Sequence, residues 1–195
     1  MPVVRKPNQQ QVEAFWQFVC SVPSAQNPYI DGSLGGQENS TGLLYLPGSK
    51  GPSRVRNIPQ NIASGRDIFI AVNPVLVTEP EAGTNNTGSL KQFAKDDEDS
   101  ATKANLTINN GQVESLIPNN RVGTNAFNVT FPNNAIFNAP QGTFPAVADG
   151  YYAIIGGLPS GNNTLVIDAE VARPFPGFHE PVPWKDNVTY TLKIS

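Results

Sequence analysis

Reactive side chains are scarce in this chain. Among its 195 residues there is one cysteine, Cys20, and one histidine, His179. A single cysteine rules out an intrachain disulfide framework. One histidine and one cysteine are too few soft ligands for a zinc site. No G-x-S-x-G elbow marks a serine nucleophile. Charge is sparse as well, at 15% of residues with a formal net charge of -3 and a pI near 5.1. That leaves no basic field for nucleic acid or an anionic membrane surface. No apolar run approaches the roughly 18 residues needed to span a bilayer. Met1–Gln11 lacks the apolar middle of a signal peptide, so a leader is expected to be absent from this chain.

What is plentiful is small and polar. The chain carries 17 glycines, 18 prolines and 21 asparagines. Six N-x-S/T triplets begin at Asn39, Asn85, Asn105, Asn128, Asn162 and Asn187. Together with the surplus of small polar residues over Lys and Glu, they point to an extracellular or cell-surface protein, with these asparagines as glycosylation candidates. No repeat or linker divides the chain. Residues 1–195 are therefore expected to form one domain, a length at which roughly 70% of the unfolded surface is buried.

The first element predicted is a helix over 8–20. Asn8 can cap it with Gln11 three positions on, and Val12, Phe15, Trp16, Val19 and Cys20 then fall at helical spacing. Cys20 is on this reading a small core residue rather than a nucleophile. "RVRNI" reads as an edge strand. In "RDIFIAVNPVLVTEP" both alternating sets are apolar, which places the strand in the middle of a sheet or between layers, with Pro74 marking a bend or bulge. Residues 88–103 are expected as a surface helix or loop with Leu90, Phe93 and Ala94 turned inward. Beyond it the pattern has a period of two. Leu165, Ile167, Ala169 and Val171 share one strand face and Asp168 and Glu170 the other; Val188, Tyr190, Leu192 and Ile194 repeat the arrangement. The expected fold is mainly β: an antiparallel β-sandwich, immunoglobulin-like or jelly-roll-like, with an N-terminal helix and one short acidic helix.

Four groups of residues carry candidate chemistry. Asp168 and Glu170 lie roughly 7 Å apart on one strand face, a spacing between those of the two classes of paired-carboxylate glycosidase; a solvated strand face is the simpler account. "DDEDS" supplies hard oxygen ligands, making Asp96, Asp97 and Asp99 the candidate calcium ligands with Glu79 and Glu81 as neighbours. It lacks the alternation and glycine of an EF-hand loop, and a solvated helix face is the simpler account. Asp149 precedes Gly150 and is expected to order a turn. Tyr151, Tyr152, Phe178 and Trp184 offer flat apolar faces for a sugar, the same residue types that fill sandwich cores. Phe175 could join that platform, and His179 packs among these aromatics or faces solvent.

Two stretches resemble an uncharacterised family of mostly secreted bacterial β-rich proteins. "FWQFVCSVPSAQNPYID" is similar to its tryptophan-containing helix followed by Ser-x-Pro-x-x-x-Asn-Pro-x-x-Asp. "RVGTNAFNVTFPNNAIFNAPQGTFPAVADGYYAIIGGLPSGNNTLVI" is similar to a later block with an A-D-G-Y strand, an L-P-x-G turn and an apolar strand. The resemblance spans most of Val12–Ser195. It implies a β-rich secreted domain, assigns no activity and carries over no catalytic residue.

These readings favour a non-catalytic extracellular binding, surface or matrix-type protein that is carbohydrate- or calcium-linked and otherwise needs no cofactor. Two alternatives differ in class. One is a carbohydrate-active hydrolase using paired carboxylates. The other is a structural subunit that joins copies of itself by strand exchange.

Overall fold

The computed structural model describes residues 1–31, 42–46, 54–172 and 184–195. In chain order its strands are β1 (Val3–Arg5), β2 (Leu44–Leu46), β3 (Arg54–Ile62), β4 (Ile68–Thr78), β5 (Ala101–Ile108), β6 (Val113–Ser115), β7 (Phe127–Phe131), β8 (Gly142–Gly156), β9 (Gly161–Val171) and β10 (Trp184–Ile194). The helices are α1 (Gln9–Ser21), α2 (Pro28–Asp31), α3 (Glu79–Ala82) and α4 (Thr87–Glu98).

Helix α1 starts where its side chains permit. The Gln11 backbone N–H donates to Asn8 Oδ1 at 2.9 Å, and the Asn8 N–H donates to Gln11 Oε1 at 2.9 Å. This reciprocal box satisfies two donors that the first turn would otherwise leave bare. Val12, Phe15, Trp16, Val19 and Cys20 are its buried face.

The strands form two sheets of five. In the first the order is β1-β8-β4-β2, with β7 also on β8; in the second it is β3-β10-β9-β5-β6. β4 and β8 are apolar on both faces because both faces are covered. One face carries Ile68, Ile70, Ala153 and Ile155 against Leu165, Ile167, Tyr190 and Leu192 of the second sheet. The opposite face carries Phe69, Ala71, Tyr152 and Ile154 against α1. The result is a β-sandwich with a helix laid on one outer face. Sheet two is half-solvated, and β9 alternates buried and part-exposed residues along its length.

Most pairings are antiparallel, as expected, but β2–β4 and β3–β10 run parallel. β3 does lie at an edge, and the acidic helix ends at Glu98, so that residues 101–103 of the expected helical stretch open β5 instead.

A bulge positions everything that follows. The β4–β8 register shifts between Ala71 and Asn73, just before Pro74. After it Val75 and Val77 lie opposite Asp149 and Val147, on the face that Tyr151 shares. That end of the face is covered by α4 rather than by sheet two, through Leu90 and Ala94. Gly150 makes the crossing feasible. Its φ is +153°, and a Cβ there would come within 2.6 Å of the Asn73 carbonyl oxygen. Among the described residues, no helix is long and apolar enough to cross a membrane.

Candidate functional site

The second half of β4, the end of α4 and the connection from Phe131 to Pro140 enclose a cavity of about 340 Å³, closed on one side by Val171 and Trp184. Its apolar walls include the rings of Trp16, Tyr29, Phe131, Phe137 and Trp184, and its polar walls include Asn73, Glu81, Asp97 and Glu98.

Local structure explains how each wall is held. Asn27, fully buried, donates from Nδ2 to the Val19 carbonyl (2.7 Å) and the Val22 carbonyl (2.9 Å), closing the end of α1. Its Oδ1 accepts from the Tyr29 N–H at 3.0 Å, which sets the turn into α2. Arg56 on β3 then clasps the same turn, donating to the carbonyls of Pro28 (2.8 Å) and Tyr29 (3.0 Å). The "QNPYID" segment therefore holds Tyr29 in place. Across the mouth, Phe137 is 44% exposed and has a φ of +61°. Its ring meets that of Tyr29 edge-on at 5.6 Å. A bulky residue in the left-handed region is strained, and the surrounding structure must over-determine it.

On the polar side Glu98 is 2% exposed. Asn73 Nδ2 donates to its Oε1 at 3.2 Å, and no donor among the described residues meets its other oxygen. Burial pushes its carboxyl well above the usual carboxylate range; Asp149 and Asp97 add to the effect and Arg121 opposes it. Glu81 stands exposed on the rim, its carboxyl raised chiefly by desolvation and less by Asp97. Behind Glu98, Arg121 grips Asp149 with two bonds, Nε to Oδ1 at 2.9 Å and Nη2 to Oδ2 at 2.8 Å. The same guanidinium reaches Asp99 at 2.6 Å and the Lys95 carbonyl at 3.2 Å, tying the end of α4 to β8.

The candidates named from sequence fare unequally. Trp184 borders the cavity. Tyr151 and Tyr152 are buried on opposite faces of β8 and present no platform to solvent; the Tyr152 hydroxyl accepts from Trp16 Nε1 at 3.0 Å. Phe175, Phe178 and His179 lie outside the described residues, as does Asn39. Asp149 sits within β8 rather than in a turn, and is only 8% exposed because Arg121 neutralises it.

The acidic run is dispersed rather than gathered. Asp96 accepts from Gln92 and Asp99 from Lys95 and Arg121, and Asp97 is among the residues lining the cavity. Among the described residues no three or more His, Cys, Asp or Glu side chains are placed to hold a metal ion. Asp168 and Glu170 stand on the outer face of sheet two, paired with Lys103 at 3.2 Å and Lys185 at 3.1 Å, away from the cavity. Asn85, Asn105, Asn128, Asn162 and Asn187 are all exposed or half-exposed. The buried Cys20 thiol is pushed up to about 12 by desolvation, so it stays protonated and packs as a core residue.

Sequence reasoning passed over Glu98, although a signal was there. Leu90, Ala94 and Glu98 are spaced by four and share one helix face, and all three are buried. Tyr29, Phe131 and Phe137 had no local signal, because tertiary packing alone brings them together.

No protein-family profile and no characterised protein matches the chain in sequence. Among solved structures, the solution structure of Amebosin aligns at 12% identity over 75% of this chain and 100% of that one, with a TM-score of 0.20. A likeness that slight carries no argument about fold or function.

Proposed function

We propose that this is a non-catalytic binding protein of the extracellular or cell-surface kind, with carbohydrate as its ligand class. The observation that carries the reading is the cavity beside α4, which rings from α1, the Phe131–Pro140 connection and β10 line together with the carboxyl groups of Glu81, Asp97 and Glu98. Stacking surfaces with a few convergent polar groups are what a sugar ring needs, and the volume falls within the range of small-ligand sites. The Lys-paired Asp168 and Glu170 lend no support to catalysis at their position.

A glycan array tests this directly. Trp184→Ala is expected to lose about tenfold or more of the affinity for any sugar retained by the native protein. Asp168→Asn is expected to leave binding unchanged. Equal binding by native protein and Trp184→Ala would place the site elsewhere.

One observation favours self-association as a second reading. The edge strand β3 leaves Val55 71% exposed, the kind of edge that pairs with another copy. Sedimentation as a dimer or polymer that Val55→Lys abolishes is the expected result; a concentration-independent monomer contradicts it.

A further inference from the structure

We infer that the cavity selects a cation: an organic ammonium group on an apolar or sugar-like body, with Glu98 as its counter-charge. This rests on the reading of the cavity as the ligand site and adds the chemistry of what fills it.

Among the described residues, the ionisable side chains that line the cavity are acidic. Glu81, Asp97 and Glu98 border the cavity, and no Lys, Arg or His does so among the described residues. Arg121 is the cation whose field reaches Glu98, and its guanidinium is committed to Asp149, Asp99 and the Lys95 carbonyl. An anionic ligand entering this space would meet the carboxyls of Glu81 and Glu98 with no cation of the described residues on the lining to offset them.

Glu98 makes the asymmetry costly. A buried carboxylate without a cationic partner loses hydration that one amide donor, here Asn73, only partly replaces. Asp149, Asp97 and Asp99 add repulsion that Arg121 only partly offsets. Burial therefore holds Glu98 protonated above the usual carboxylate range, and an ammonium group arriving beside it would favour the ionised form. Tyr151 and Tyr152, which also feel the Glu98 charge, are themselves raised by burial and stay neutral.

The aromatic lining completes the chemistry. The faces of aromatic rings carry negative electrostatic potential, and rings lining a pocket attract a weakly hydrated cation. Tyr29 and Phe137 meet at the mouth, with Phe137 held there in a strained backbone; Trp184 stands on the wall formed by β10. Aromatic rings and a buried carboxyl with an amide but no cation of the described residues beside it recognise alkylammonium groups, amino sugars included, better than uncharged polyols.

The test uses the full chain and isothermal titration with two matched pairs of probes. Choline is compared with its uncharged isostere, in which a tert-butyl group replaces trimethylammonium, and glucosamine with glucose. Each charged probe is expected to bind about tenfold tighter than its partner. Because choline is charged at every pH, the rise in its affinity with increasing pH reports ionisation of the protein, through the raised range of Glu98. Glu98→Gln is expected to remove most of the charged-probe advantage, while binding of the neutral isostere is kept and the variant melts cooperatively at or above the native midpoint. If the neutral partners bind as tightly as the charged ones, or choline affinity is flat with pH, the selectivity is wrong and the ligand site stands. If none of the four probes binds, and a glycan array retains no sugar either, both readings fall.

Discussion

Glu98 is the residue at which the sequence resisted the fold. It lies in "KDDEDS", the densest charge in the chain, yet α4 turns it inward behind Leu90 and Ala94. The cost has a sign that can be measured. Its pKa is raised in the folded state, so the native protein binds more protons than the unfolded chain once pH passes the ordinary glutamate range. Stability contributed by the protonated form is fully present below that range and is lost as pH rises through the raised folded value. Glu98→Gln is accordingly expected to raise the thermal midpoint at neutral pH and to change little at pH below the ordinary glutamate value. Paired melting curves at the two pH values check this; an equal shift at both would show that charge is not the cause.

Arg121 is the converse case. Its partner Asp149 is almost wholly buried, and removing the guanidinium would strand a carboxylate that accepts two bonds from it. Arg121→Ala is expected to cost about 3 kcal/mol of unfolding free energy, more than an exposed pair would. Chemical denaturation measures it. Lys103→Ala, which removes a part-exposed partner of Asp168, is expected to cost less than about 1 kcal/mol.

At the scale of elements, the legible parts were those whose signals are local. α1 was readable from Asn8, Gln11 and the spacing of its apolar residues, because both the cap and the stripe lie within the helix itself. β9 was readable from strict alternation, and β4 from having two apolar faces. Parallel pairing of β2 with β4 and of β3 with β10 was not readable. Strand periodicity fixes which face is buried and leaves open which neighbour lies alongside, or in what direction. The bulge was half readable: Pro74 announced a break, while the reason for Gly150 appears only when the Asn73 carbonyl is seen packed against it. Gly150→Ala is expected to destabilise by about 1–3 kcal/mol through overpacking. It should also disturb Tyr151 and Tyr152, visible as a change in the near-ultraviolet circular dichroism. A neutral substitution would mean that the two strands sit farther apart than described.

For the whole molecule, the two sheets and α1 share β4 and β8 as a common centre, and the cavity opens where those layers end. The sequence showed a sandwich carrying a helix but no cavity, because its walls come from α1, β4, α4, β10 and the connection after β7, far apart in the chain. A site assembled this way depends on the layers holding their positions, which the Arg121 and Arg56 clasps serve. The chain contains two tryptophans, Trp16 and Trp184, and both border the cavity. Their two indole N–H signals in a proton–nitrogen correlation spectrum thus report on this one place. Titration with a sugar or amine ligand is expected to shift the Trp184 signal saturably, with Trp16 following and residues around Asp168 and Glu170 unmoved. A ligand that binds tightly while both indole signals stay fixed would contradict the assignment of the cavity as the binding site.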